Sequence, residues 1–339
     1  MSTEPTDADG IDPGFLTETA GNTTRERLVR AFFFVCAFLS VVTTFAIVFT
    51  LAFEAAKFFG VTGQLLGVSA EKTVAAIDFY TGFEWIPSRQ LFGVLEFVSA
   101  TLAIVVGSSI IALPFGLGTA IYLSEYANPR MRTYLKPALE VLAGIPTVVY
   151  GYFALVYITP ALDGFFSTVS RTVPLVTIPD LGAFNLLSAS IVVGIMIIPM
   201  VSSISEDAMS AVPDELRQAG YGMGATKFDV SIGVVIPAAI SGIFSSFILA
   251  LSRAIGETMA VTIAAGQQPN LVNPLNPADY FDAAMPMTAG MVQIATGDIA
   301  GQGAEYQSLF AIGLTLFVIT LAMNLISDVI TERYREQYE

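Results

Sequence analysis

IPAAISGIFSSFILALSRAIGETMAVTIAAG, from Ile236 to Gly266, is an apolar run long enough to cross a bilayer, for which about 20 residues are needed. It carries two charges, Arg253 and Glu257, in its middle to C-terminal half. A charge at that depth costs at least ~2.5–3.5 kcal/mol on insertion scales, so it is kept where it is paired, wetted or used. Read as one helix, the run places the two charges at i and i+4, on one face. Arg N-terminal to Glu is the weaker order for such a pair, which leaves Arg253 available for another partner. Either the pair serves a transport path or it knits helices together; the first reading is favoured because intramembrane charges are functional by default.

The rest of the chain agrees with a membrane setting. Of 339 residues, 54% are hydrophobic and 13% charged, and the mean hydropathy is +0.68. Soluble domains carry about 25% charged residues, so this chain does not fold in water alone. There is no histidine and one cysteine, Cys36 in an apolar run, which excludes an internal disulfide framework and leaves almost nothing to ligate zinc or haem. No phosphate-cradling GxxxxGK[ST] loop, catalytic triad or paired-carboxylate cleft is present, so no enzyme activity, cofactor or metal is expected.

The formal net charge is −14, with Glu4, Asp7, Asp9, Asp12 and Glu18 near the N-terminus and Asp279, Asp282, Asp298 and Glu305 in a late loop. One reading is an acidic docking tail. The favoured one is hydration of aqueous parts in very salty surroundings, and hence a halophilic source, a halophilic archaeon.

Six apolar runs emerge in order: about Ala31–Phe53, Phe92–Tyr122 with Pro114 and Gly116 bending it, Ala138–Thr159 interrupted by GIPTVVYG, Leu186–Ile204, the run quoted above, and Leu309–Leu325. The expected fold class is therefore an all-α integral membrane protein of about six transmembrane helices. Residues 1–24 read as a disordered acidic tail and 25–335 as the membrane domain, its core at 92–330. Loops 54–90, 160–185 and 267–306 fall on one side, and 206–235 on the other. Trp85 and Tyr80 suit a membrane interface. Arg25, Arg27, Arg30, Arg130, Arg132, Lys136, Arg217, Lys227, Arg333 and Arg335 share one side, against Lys57, Lys72, Arg89 and Arg171 on the other. The basic side is cytoplasmic, with both termini.

The 206–235 loop holds AVPDELRQAGYGMGATKFDVSIGVVIPA. Asp214 is placed to cap a helix opening at Glu215, glycines 220, 222 and 224 end or kink it, and a second amphipathic piece runs from Thr226 to Val235. Short glycine-punctuated helices on a cytoplasmic face suit docking into a groove on another protein, although an amphipathic loop lying on headgroups is the commoner case. Gln218-Ala219-Gly220, then Gly224, then Val234-Val235-Ile236-Pro237 resembles the EAA loop of ABC importer permeases, with Gln for Glu and Gly for Ala in the first triplet.

LAGIPTVVYGYFAL (Leu142–Leu155) and LSRAIGETMAVTIAAG (Leu251–Gly266) narrow this to a resemblance to the PstC family of phosphate permeases, over roughly Phe92 to the C-terminus. The resemblance implies a type I importer permease (MetI-like) architecture. It implies a PstA-type permease partner, a pair of PstB-type ATPases, an external PstS-type phosphate-binding protein and the lipid bilayer, and no nucleic acid. It also implies that Glu215, Gln218, Ala219, Gly220, Gly224 and Pro237 couple to the ATPase, and that Arg253, Glu257 and Thr258 lie on the phosphate path. Thr258 and Thr262 could line that path or bond back to their own helix. Glu140 is a further buried-charge candidate. The rivals are a permease for sulfate, molybdate or phosphonate, a stand-alone channel or secondary transporter, and a membrane subunit that only anchors a complex.

Overall fold

The structure, a computed structural model, describes residues 23–61, 74–172, 179–297 and 303–335, and the chain divides into two compact units between Phe53 and Glu54. The expected disordered tail lies outside the described residues, except at its last two positions, Thr23 and Thr24, which open a helix.

Helix α1 (Thr23–Phe58) contains the first expected span. Phenylalanines stack along its surface, Phe34 on Phe38 at 6.2 Å and Phe49 on Phe53 at 5.9 Å. A helix apolar on every side suits lipid.

The second unit opens with a short helix α2 (Ala76–Thr81) and a two-residue hairpin, β1 (Trp85–Ile86) paired antiparallel with β2 (Leu91–Phe92). Edge-to-face contacts at about 5.5 Å join Phe58 to Phe79 and Phe92, and Trp85 lies 4.6 Å from Phe97. Trp85 is thus a core residue and not the interfacial anchor its composition suggested; Tyr80 stays exposed.

Helix α3 (Leu95–Tyr126) runs unbroken through Pro114 and finishes in a π-helical turn, Tyr122–Tyr126. At Gly116 a Cβ would lie 2.6 Å from Val201, so the glycine admits a neighbouring helix. An amphipathic helix α4 (Pro129–Ala143) follows, with Asn128 accepting the Met131 N–H at 2.8 Å as its N-cap. Gly144 and Pro146 then stop the chain, because proline cannot donate to the preceding turn. The third span begins only after them, as α5 (Thr147–Thr172). This corrects the expected Ala138–Thr159 span and the expected loop over 160–185, which is helical to Thr172.

Helix α6 (Leu186–Ser210) packs along α3 and is the most buried of the spans. Beyond it lie α7 (Asp214–Gly222) and α8 (Lys227–Ala238), and α9 (Ile240–Ile255) leaves α8 at a 70° bend. The run Ile236–Gly266 is therefore not one helix. It bends at Ala239, stops at Gly256, and restarts as α10 (Met259–Ala264). The long loop after it contains α11 (Met287–Thr296), which was not expected, and α12 (Ala304–Arg335) completes the described chain. Among the described residues five helices are long and apolar enough to span a bilayer, or six if the bent α8–α9 pair is counted as one span.

Candidate translocation and coupling sites

Contacts between loops fix which ends belong together. At one end, Arg132 and Lys136 of α4 meet Glu206 and Asp207 of α6, and Arg217 of α7 meets Glu125 of α3. At the other, the Asn185 side-chain oxygen accepts the Ser188 N–H and caps α6, while its amide nitrogen donates to the Thr159 hydroxyl at 3.3 Å and to the Gly182 carbonyl at 2.9 Å. Nearby, Asn185 N–H reaches the Ala264 carbonyl and Met287 N–H the Thr101 hydroxyl.

The first end carries the EAA-like loop. The chain enters α7 through Pro213, whose extended ψ of 138° makes it the N-cap residue; Asp214 is the first helical residue and not the cap, and it pairs with Arg217 at 3.2 Å. Proline sets the entry because its fixed φ suits a helix start. The exit is a Schellman motif: Ala225 N–H bonds to the Gly220 carbonyl and Gly224 N–H to the Tyr221 carbonyl. That motif requires a left-handed residue, and Gly224 has φ +84°. Gly220 is buried where a Cβ would come 2.9 Å from Val230, so α7 folds back against α8. Thr226 and Asp229 form a reciprocal capping box on α8, and the two Thr226 hydrogen bonds, from hydroxyl and then amide, hold the Asp229 carboxyl below its ordinary range.

Glu215, Gln218, Ala219, Gly224 and Pro237 are all exposed, and beside them so are Leu216, Tyr221, Met223, Phe228 and Ile232. Polar positions mixed with large apolar ones on a projecting pair of short helices make a surface fit for a groove. Arg217, by contrast, points inward. Its guanidinium donates to the Val212 and Met209 carbonyls at 2.5 and 2.8 Å and to Glu125 Oε1 at 3.1 Å, tying α7 to the ends of α6 and α3.

Within the membrane region, Arg253 lies in the last turn of α9, facing a cavity of about 330 Å³ between α4, α6 and α9. Among the described residues it has no ion-pair partner. Glu257 does not share its helix face, contrary to the i, i+4 expectation. The helix has ended at Ile255, and Glu257 Oε1 instead accepts the Ala260 N–H at 3.2 Å, capping α10. Thr258 and Thr262 bond back to backbone carbonyls at 3.2 and 2.6 Å. The structure thus separates Arg253 from Glu257 and Thr258 and joins it to Lys136, Glu140 and Glu206 around one cavity. GIPTVVYG serves packing: a Cβ at Gly151 would lie 3.0 Å from Ala260.

Glu206 is the residue that sequence reading missed. It is 1% exposed, with Arg132 on Oε1 and Lys136 2.9 Å from Oε2. Its hydrogen bond raises the Lys136 ammonium above the usual lysine range. Arg132 and Lys136 stand at i and i+4, two cations on one helix face, and that spacing was the available signal that an acid lay opposite.

The chain thus combines a bent spanning pair, an exposed two-helix loop and a cavity lined by two cations and two carboxylates. Residues 112–336 match the family described as binding-protein-dependent transport system inner membrane component, and the chain belongs to it. It is 30% identical to the probable ABC transporter permease protein YqgH of Bacillus subtilis, over 88% of each chain. It is also 35% identical to the phosphate transport system permease protein PstC of Mesorhizobium japonicum, over 72% of this chain and 74% of that one. Its fold is shared with a chain of a bacterial ABC transporter involved in import of the acidic polysaccharide alginate, at a TM-score of 0.60 and 14% identity, covering 93% of this chain and 99% of that one.

Proposed function

We propose that this chain is the PstC-type transmembrane subunit of an ATP-driven importer that carries inorganic phosphate across the cytoplasmic membrane. The carrying observation is Arg253, a guanidinium on an apolar helix, without an acidic partner among the described residues and facing a cavity. A planar donor fork with permanent charge suits a tetrahedral oxyanion. The similarity to PstC proteins supports phosphate over sulfate, molybdate or phosphonate.

ATP hydrolysis belongs to a separate PstB-type ATPase pair, docked on the exposed face of α7 and α8 around Glu215, Gln218, Ala219, Gly224 and Pro237, with Gly220 buried beneath it to hold α7 against α8. A PstA-type permease completes the pathway and a PstS-type protein delivers phosphate from outside. Both termini are cytoplasmic, on the side of the basic loops. A stand-alone carrier has no use for a projecting dock, which sets that alternative aside. The acidic charge of −14 further supports a salt-rich, halophilic setting, which stability in dilute buffer would refute.

The test is labelled-phosphate uptake in phosphate-starved cells lacking the gene, complemented with wild type, Arg253→Ala or Arg253→Lys. Uptake restored by wild type, insensitive to excess sulfate and abolished by Arg253→Ala with assembly intact is the expected result. Unchanged uptake with Arg253→Ala makes the residue structural, and uptake independent of the gene removes phosphate from the reading.

A further inference from the structure

Two cavities adjoin at α4. The first, holding Arg253, is bounded by Lys136, Glu140 and Glu206; the second, of about 510 Å³, is lined by Arg132, Thr133, Lys136 and Glu140. Lys136 and Glu140 border both. Lys136 and Glu140 thus stand between the cavities, and Lys136 is held there by its ion pair with Glu206 on the first cavity's side.

We propose that Arg132 and Lys136 form a second oxyanion station on the exit side of the pathway, with Glu206 as a tethered anion that occupies it when phosphate is absent. This rests on the phosphate reading above. Phosphate leaving Arg253 takes over Lys136 from Glu206 and passes into the second cavity, after which Glu206 recaptures the ammonium and displaces the ion.

Three features separate this from a plain helix brace. The carboxylate is 1% exposed, whereas both cations are 40% exposed, so the cations can turn toward a cavity while the acid stays in place. Glu206 has two cationic partners, so surrendering Lys136 still leaves it Arg132; a carboxylate with one partner would be stranded, at a prohibitive cost. Thr133, on the second cavity, adds a hydroxyl donor of the kind that phosphate oxygens accept. Two further acids lie at the station and add to the local competition for its cations: Asp207, 3.5 Å from Lys136 and well exposed, and Glu140, which borders both cavities.

The experiment uses the assembled transporter in right-side-out vesicles, with ATP trapped inside and binding protein outside. Initial uptake of labelled phosphate is followed against increasing internal unlabelled phosphate, with potassium chloride as the ionic control. Removing the competitor with Glu206→Gln is expected to lower the half-inhibiting internal phosphate concentration by about tenfold, the scale of one freed charge-assisted hydrogen bond. Glu206→Gln combined with Lys136→Gln is expected to return it to the wild-type value or above. An unchanged inhibition curve in Glu206→Gln, or a double variant as sensitive as the single one, overturns the proposal. If Glu206→Gln does not assemble, Lys136→Gln alone decides: the station requires a raised half-inhibiting concentration, and a wild-type curve refutes it. Absence of phosphate uptake by wild type into unloaded vesicles would instead remove the phosphate reading, a distinct outcome.

Discussion

Replacing Arg217 by methionine measures how firmly α7 is held to the membrane helices. The guanidinium is 14% exposed and its partner Glu125 4%. Removing one member of a buried ion pair costs about 3–5 kcal/mol, because the other charge is left buried. The Ser124 hydroxyl, 3.1 Å from Glu125 Oε1, remains and favours the lower end. The Met209 and Val212 carbonyls, both on buried residues, lose charged donors, adding about 1 kcal/mol each. The Asp214 contact involves an 82% exposed carboxylate and adds close to nothing. Arg217→Met should therefore cost about 5–6 kcal/mol. Arg217→Met with Glu125→Leu removes the stranded carboxylate and should cost about 1–2 kcal/mol. Heating the detergent-solubilised subunit and following its monodisperse fraction should show the single variant failing roughly 10 °C below wild type and the double variant regaining most of that loss. Equal losses in the two variants would mean that the pair carries no net coupling, and a single variant within a degree of wild type would refute the brace.

Further perturbations separate backbone from packing. Gly224→Val meets no neighbour within 4 Å, so its cost of about 1–2 kcal/mol is conformational, and Gly224→Asn should recover much of it; uptake per ATP hydrolysed is the readout. Gly242→Ala would put a Cβ 2.4 Å from that of Ala208 and should destabilise by about 1–3 kcal/mol, seen as a lower melting temperature with ATPase coupling preserved in the surviving fraction. Asn185→Ala loses the α6 cap and should cost about 1–2 kcal/mol in the same melt. The Asp229 carboxyl, held low by Thr226, keeps capping α8 down through the ordinary carboxylate range and releases it only as the pH falls through the lowered value; at a pH just below the ordinary aspartate value, amide exchange at α8 should stay protected in wild type and not in Thr226→Val.

The number of spans was legible because it depends on composition summed over many residues, which no single contact can reverse. Gly224 was legible too, since a helix stop there needs a residue free to adopt positive φ. The interior of Ile236–Gly266 was not. Apolar composition carries no sign of where a membrane helix breaks, and the break at Gly256 is what turned an expected Arg253–Glu257 pair into two unrelated side chains. The Glu206 cluster was hidden for another reason. The Arg132–Lys136 spacing announced a paired face, but its partner lies some 70 positions onward in sequence, and only the packing of α4 on α6 brings them together. The last part of α4 was merged into a span because the glycine and proline of GIPTVVYG were read as an interruption within one membrane segment, when Gly144 and Pro146 end one helix and Thr147 opens another.

The close approaches along α3, α6 and α9 bear on how such a machine transmits force. A Cβ at Gly107, Gly116, Gly194 or Gly242 would come within about 2.4 to 3.0 Å of the neighbouring helix, so these three helices lie almost backbone to backbone. A seam that tight has little slack to absorb displacement and behaves as a stiff beam. The joints lie at its margins: at Ala239, where α8 leaves α9 at 70°, and at Gly256, where α9 lets go of α10. A push on α7 and α8 is then delivered as rotation of the whole beam about those joints, and the stroke that reaches the Arg253 cavity is set by lever length rather than by the softness of the helices.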